Sequence, residues 1–142
     1  MKERSKRRRA REIALTILYQ IELRGDAPSE VIAANQETLQ EDDGIPDFAL
    51  ELVGLVLQKR AELDAIIERY AERWAVQRMP IIDRNVLRIG LAELIFRQDI
   101  PPSVSINESV ELAKEFGDPD ESGKFVNGIL GRFLTEREKE TG

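Results

Sequence analysis

The sequence predicts an all-α protein, a single bundle of about seven helices. Three observations carry this. Apolar residues recur at three- and four-residue spacings along almost all of the 142 residues, as one face of a helix requires. Sustained polar–apolar alternation, the mark of a half-buried strand, is missing. Turns rich in Pro, Gly and Asp separate the periodic segments at helix-length intervals. Residues 1–142 suit one domain with one core, and 42% hydrophobic with 34% charged residues is the composition of a folded chain.

The first helix is expected over residues 4–23. Ile13, Ala14, Ile17 and Ile21 share a face, and Arg24-Gly25 stops it. Pro28 suits the first turn of a short second helix reaching about residue 39. QEDDGIP, residues 40–46, reads as a loop. Pro46 opens an apolar run through Phe48, Leu52, Leu55, Val56, Leu63, Ile66, Ile67 and Tyr70 to about Trp74. A break near 60–63 divides it into two helices, with Trp74 in the core at its end. Residues 81–99 form the most apolar helix, in which Val86, Leu87, Ile89, Gly90, Leu91, Leu94 and Ile95 cover more than one face. It is expected at the centre, with Arg88 in a partly buried ion pair, with Glu93 or Glu108, or capping a carbonyl.

Ser105-Ile-Asn-Glu108 reads as a capping box opening the next helix, and Gly117 as its stop. The last helix begins at GKFVNG and frays into a charged tail at about 135–142. Asn127, Gly128 and Gly131 are expected to let it approach a neighbour closely.

Several function classes are excluded or weakened by composition. With no Cys and no His, the chain lacks disulfides, thiolate metal sites and the usual nucleophile–base pairs. The acids at Asp42-Asp43 and Asp118–Glu121 lack ordered ligand spacing. No catalytic residue, metal or cofactor is expected. No apolar run approaches the roughly 20 residues of a membrane span. Glu12, Thr16, Gln20 and Glu22 interrupt the apolar segment after the basic start, so no secretory signal is read and a cytoplasmic location is expected.

Charge is placed unevenly. Residues 1–11 form a basic arm of seven basic side chains and one acidic, net +6. The other 131 residues hold 14 basic and 26 acidic side chains, net −12, within an overall −6. A polyanion is attracted to one end and repelled elsewhere. On a helix, Arg4, Arg7, Arg8 and Arg11 fall within an arc of roughly 100°, and Tyr19 lies about 20° from Arg8 and roughly 16 Å along the axis. Guanidinium groups match phosphate oxygens, and an aromatic beside them can stack an unpaired base. Single-stranded nucleic acid therefore fits this helix. A solvated basic tail, a localisation signal, or a helical interaction or oligomerisation module docking an acidic partner through its basic N-terminus fit the charge run as well.

Three ordered segments carry a resemblance: RRRAREIALTILYQIE, IDRNVLRIGLAELIF, and VSINESVELAKEFGDPDESGKFVNGILGRF. Together they resemble the NusB family of bacterial transcription antitermination factors, over nearly the full chain. The resemblance implies about seven helices in two subdomains and no catalytic activity. It implies binding of boxA-type leader RNA together with NusE, a small-subunit ribosomal protein, so that RNA polymerase in its antitermination complex reads through terminators, notably in ribosomal RNA operons. It also implies an RNA-facing set of Arg7, Arg8, Arg9, Arg11, Tyr19, Lys124 and Phe125, to which the helix geometry adds Arg4. The NusE-facing surface corresponds to about 78–84, with Arg78, Asp83 and Arg84. Some members resemble homodimers that cover the arginine surface. Gly123 stands where the family often has His, and DPDES carries one residue more than its shortest versions. Charge reversal at Arg8 and Arg11 is expected to weaken RNA binding and leave the thermal midpoint nearly unchanged.

Overall fold

A computed structural model describes residues 3–40, 44–72 and 74–141, with side chains from residue 5 onward. The fold is all-α, with seven α-helices among the described residues. They are α1 (Glu3–Arg24), α2 (Pro28–Ala34), α3 (Ile45–Gln58), α4 (Arg60–Tyr70), α5 (Ile81–Phe96), α6 (Pro102–Phe116) and α7 (Ser122–Thr141). Asp42 and Asp43 of the acidic loop lie outside the described residues, as does the side chain of Arg4.

Local chemistry sets most boundaries. Gly25 adopts φ +70 and its N–H reaches the Ile21 carbonyl at 3.0 Å, closing α1 with a left-handed residue that glycine accepts at no steric cost. α2 stops at Ala34, short of the expected residue 39, and a 3₁₀ turn at Thr38–Gln40 comes next. α3 and α4 meet at Lys59 without Pro or Gly. Lys59 N–H still bonds Leu55, and its carbonyl already accepts from Leu63, so one residue with φ −107 makes the kink. α5 ends at Phe96, three residues before the expected end. α7 continues through the charged tail to Thr141 rather than fraying.

α5 is the centre. Val86, Leu87, Ile89, Leu91 and Ala92 are all fully buried. Each large side chain there is worth about 1.5–3 kcal/mol of burial. α1 and α3 pack on each other and on α5, with α2 against α1; α6 and α7 pack on each other and on α5, with α4 against α5 and α7. The close approach that the sequence assigned to Gly128 and Gly131 lies elsewhere. A Cβ on Gly131 would meet nothing within 4 Å, and one on Gly128 only the Arg132 guanidinium at 3.5 Å. A Cβ on Gly90 would stand 2.7 Å from Ser109 Oγ and 2.8 Å from Leu130 Cδ1. α6 and α7 thus reach α5 through Gly90.

Three further expectations are corrected. The capping box does not form, because α6 starts three residues earlier, at Pro102. Ser105 is buried and donates to Glu93, while Glu108 takes the Arg8 guanidinium. Arg88 pairs with Asp64 and Glu22, not with Glu93 or Glu108. Trp74 stands past the end of α4 and is 37% exposed.

Candidate nucleic-acid interface

The arginine motif of α1 divides into residues turned inward and outward. Arg11 is 2% exposed. Its Nε and Nη2 donate to Glu93 at 2.6 and 2.8 Å, and Ser105 Oγ donates to the same carboxylate at 2.9 Å. This guanidinium belongs to the core. The expectation that Arg11 faces RNA and tolerates charge reversal is therefore corrected. Leu15 and Leu18, four and seven residues further on, are 2% exposed. They show that the buried face of α1 runs through Arg11, beyond the seam of Ile13, Ile17 and Ile21.

Arg8 sits one turn from Arg11 and is exposed. It forms a fork with Glu108 of α6, Nε to Oε2 at 2.9 Å and Nη2 to Oε1 at 3.1 Å. The bonds and charge of Glu108 raise the Arg8 pKa above its ordinary value. Arg9 keeps 41% of its side chain exposed, 3.7 Å from Glu12. Arg7 lies 5.6 Å from the Phe48 ring centroid, a cation–π contact shared with Arg11 and Arg97.

The aromatic half of the site gathers at the C-terminal half of α1. Tyr19, Trp74, the start of α5 (Pro80, Ile81, Ile82, Asp83) and the turn after α6 (Gly117, Asp118, Glu121, Ser122) enclose a mostly apolar groove of about 540 Å³. Phe125, half-buried in the second turn of α7, meets the Trp74 ring at 5.0 Å between centroids. Trp74 thus lines the groove with Tyr19 and touches Phe125, two residues that sequence reasoning had paired without a physical link. Lys124 is exposed beside Phe125.

Asp83 underlies the groove. It is 5% exposed and accepts from Ser122 Oγ at 2.7 Å, while Ser122 Oγ accepts from the Asp118 N–H at 2.8 Å. Burial pushes the Asp83 carboxyl up against the pull of Ser122, and the Asp118 charge adds to the rise. A Cβ on Gly117 would stand 2.6 Å from Ser122 Oγ and 3.0 Å from Asp83 Oδ1, so only glycine lets this junction close. Asp118 Oδ1 also caps the Asp120 and Glu121 N–H groups at 2.9 Å. The turn before Lys124 thus has its own carboxylate where the helix dipole attracts anions.

A family model described as the NusB family matches residues 8–135. The transcription antitermination protein NusB of Myxococcus xanthus is 48% identical over 137 residues, 94% of this chain and 97% of that protein. The chain belongs to the NusB family. A T. maritima NusB crystal structure superposes with TM-score 0.83 at 37% identity, over 92% of this chain and 91% of that one. A crystal structure of the antitermination factors NusB and NusE in complex with dsRNA superposes with TM-score 0.83 at 32% identity, over 93% and 98%. The NusB family is one of transcription antitermination factors, not enzymes.

Within this chain the residues assigned to the partner surface sit differently from one another. Arg78 is exposed, in a 3₁₀ turn at Val76–Arg78. Arg84 is committed internally: it pairs with Glu22 and donates to the carbonyls of Gln77 and Met79 at 3.2 and 3.0 Å. It anchors the connector that displays Arg78. Trp74 is the residue that sequence reasoning missed; its place after the last apolar repeat of α4, rather than within it, is the available signal. No described helix is long and apolar enough to cross a membrane.

Proposed function

We propose that this chain is a transcription antitermination factor that binds boxA-type single-stranded leader RNA together with NusE in the cytoplasm. Bound there, it promotes read-through by RNA polymerase within its antitermination complex, notably in ribosomal RNA operons. One observation carries this: α1 joins outward guanidinium groups at Arg8 and Arg9 to a groove lined by Tyr19 and Trp74, with Phe125 packed on Trp74. Phosphates take the charged end, and unstacked bases take the rings. A relative's NusB solved in complex with NusE and dsRNA supports NusE and RNA as the partners, and the groove's rings favour the single-stranded form.

NusE docks on the connector and the start of α5. Arg78 supplies an exposed guanidinium, and Asp118 and Glu121 at the groove rim offer carboxylates to a basic protein. Asp83 and Arg84 hold this surface in shape from beneath. The test compares boxA-type RNA with a scrambled RNA, each with and without NusE. Tighter binding of boxA in the presence of NusE is expected. Equal binding of both RNAs with NusE present would sink the proposal.

A further inference from the structure

Arg8 is gripped from the side. Two bonds to Glu108 occupy the Nε–Nη2 edge of the planar fork. The guanidinium has a second usable edge, through Nη1 and the outer N–H of Nη2, that such a pair leaves for another oxyanion. Exposure matches this geometry: the Arg8 side chain is 46% exposed, that of Glu108 only 2%. A clamped arginine has already given up rotamer freedom that a loose one loses when it binds.

The same cleft, between α1 and α6, holds a second kind of carboxylate. Glu111 and Glu115 are exposed; Glu111 pairs with Lys114 at 3.6 Å. They stand beside Arg8, and among the described residues neither is paired with it. By Coulomb's law alone, neutralising any carboxylate beside an RNA surface strengthens RNA binding.

We propose that Glu108 is a positioning residue for RNA binding, holding Arg8 with its free edge toward a phosphate, while Glu111 and Glu115 only repel the strand. The inference rests on the RNA reading proposed for this chain. It predicts opposite signs for chemically identical changes. Neutralising Glu108 weakens binding, and neutralising Glu111 and Glu115 tightens it.

Binding of boxA-type RNA with NusE present is measured over a salt series for wild type, Glu108→Gln, the Glu111→Gln/Glu115→Gln pair, Arg8→Gln and Arg8→Gln/Glu108→Gln, with thermal midpoints alongside. Glu108→Gln is expected to lose about three- to tenfold in affinity, the scale of one net hydrogen bond. Its log K against log salt slope should become shallower by about 0.7, one phosphate fewer on a single strand. In the Arg8→Gln background the Glu108 change should cost nothing further. A purely structural role lowers the midpoint and leaves the salt slope alone. Unchanged or tighter binding by Glu108→Gln, or an unchanged slope, overturns the proposal. If Glu108→Gln fails to fold, Glu108→Asp keeps the charge but reaches one methylene less. A shallower slope in that variant supports the clamp, and a wild-type slope overturns it. Wild-type protein that does not distinguish boxA from scrambled RNA refutes the RNA reading instead, a separate result.

Discussion

The two ends of the α1–α5 contact carry ion pairs of opposite polarity. At one end α1 supplies the cation, Arg11, and α5 the anion, Glu93. At the other end α1 supplies the anion, Glu22, and α5 the cations, Arg84 and Arg88. The partner numbers run in opposite senses, so the helices are antiparallel, and reversing one of them would set like charges face to face. The first end is sealed, with side chains 2% and 0% exposed. The second opens toward solvent through Asp64 and Arg60. The sealed end fixes the helix that displays Arg8 and Arg9. The open end ties down the connector that carries Trp74 and Arg78. Similar chemistry therefore supports the two halves of the proposed interface in different ways, one by burial and one by a shared network.

Breaking the sealed end should have the largest effect. Arg11→Ala leaves Glu93 buried without its cation, a loss of about 3–5 kcal/mol read by denaturant unfolding. The open end should yield less, because Arg88 keeps Asp64. Glu22→Gln is expected to cost about 1.5–3 kcal/mol. Burial raises the Glu22 carboxyl, but hydrogen bonds from Arg84 and Arg88 outweigh it and hold the group below its ordinary 4.5. A depressed acid contributes stability above its unfolded value and loses it as pH falls through the folded one. Wild type should therefore lose stability below about pH 4.5, and Glu22→Gln should lose less over the same window, as thermal midpoints across pH would show.

Arg8→Gln sharpens the comparison from the surface side. Arg8 is half-exposed but its partner Glu108 is buried, so the change should cost about 1–2 kcal/mol of stability, while the RNA salt slope falls by about 0.7. The smallest effect is expected at Asp83. Its raised carboxyl loses folded-state stability as pH climbs through the folded value, so Asp83→Asn should raise the thermal midpoint at neutral pH slightly.

The seven helices were legible because each buries an apolar stripe at helical spacing, and the Pro and Gly punctuation is local. The α3–α4 kink was located only loosely because Lys59 offers no local breaker. The site was half legible. Arg8 and Tyr19 declare themselves by angle on one helix, and Arg9 by its match to the family's basic segment. Arg11 did not, because its partner lies 82 positions away and charge alone reads as surface. Glu108 was taken for a cap because Ser105 precedes it at cap spacing; the true start at Pro102 turns both inward. Trp74 joins the site through a ring contact with Phe125, 51 positions along the chain.

Ultraviolet cross-linking of boxA-type RNA to the chain with NusE present, read residue by residue by mass spectrometry, tests the proposed interface most directly. Cross-links at Tyr19, Trp74 or Phe125, lost in high salt and reduced by Arg8→Gln, are the expected result. Cross-links confined to α2, α3 or α4, with those three rings untouched, would contradict it.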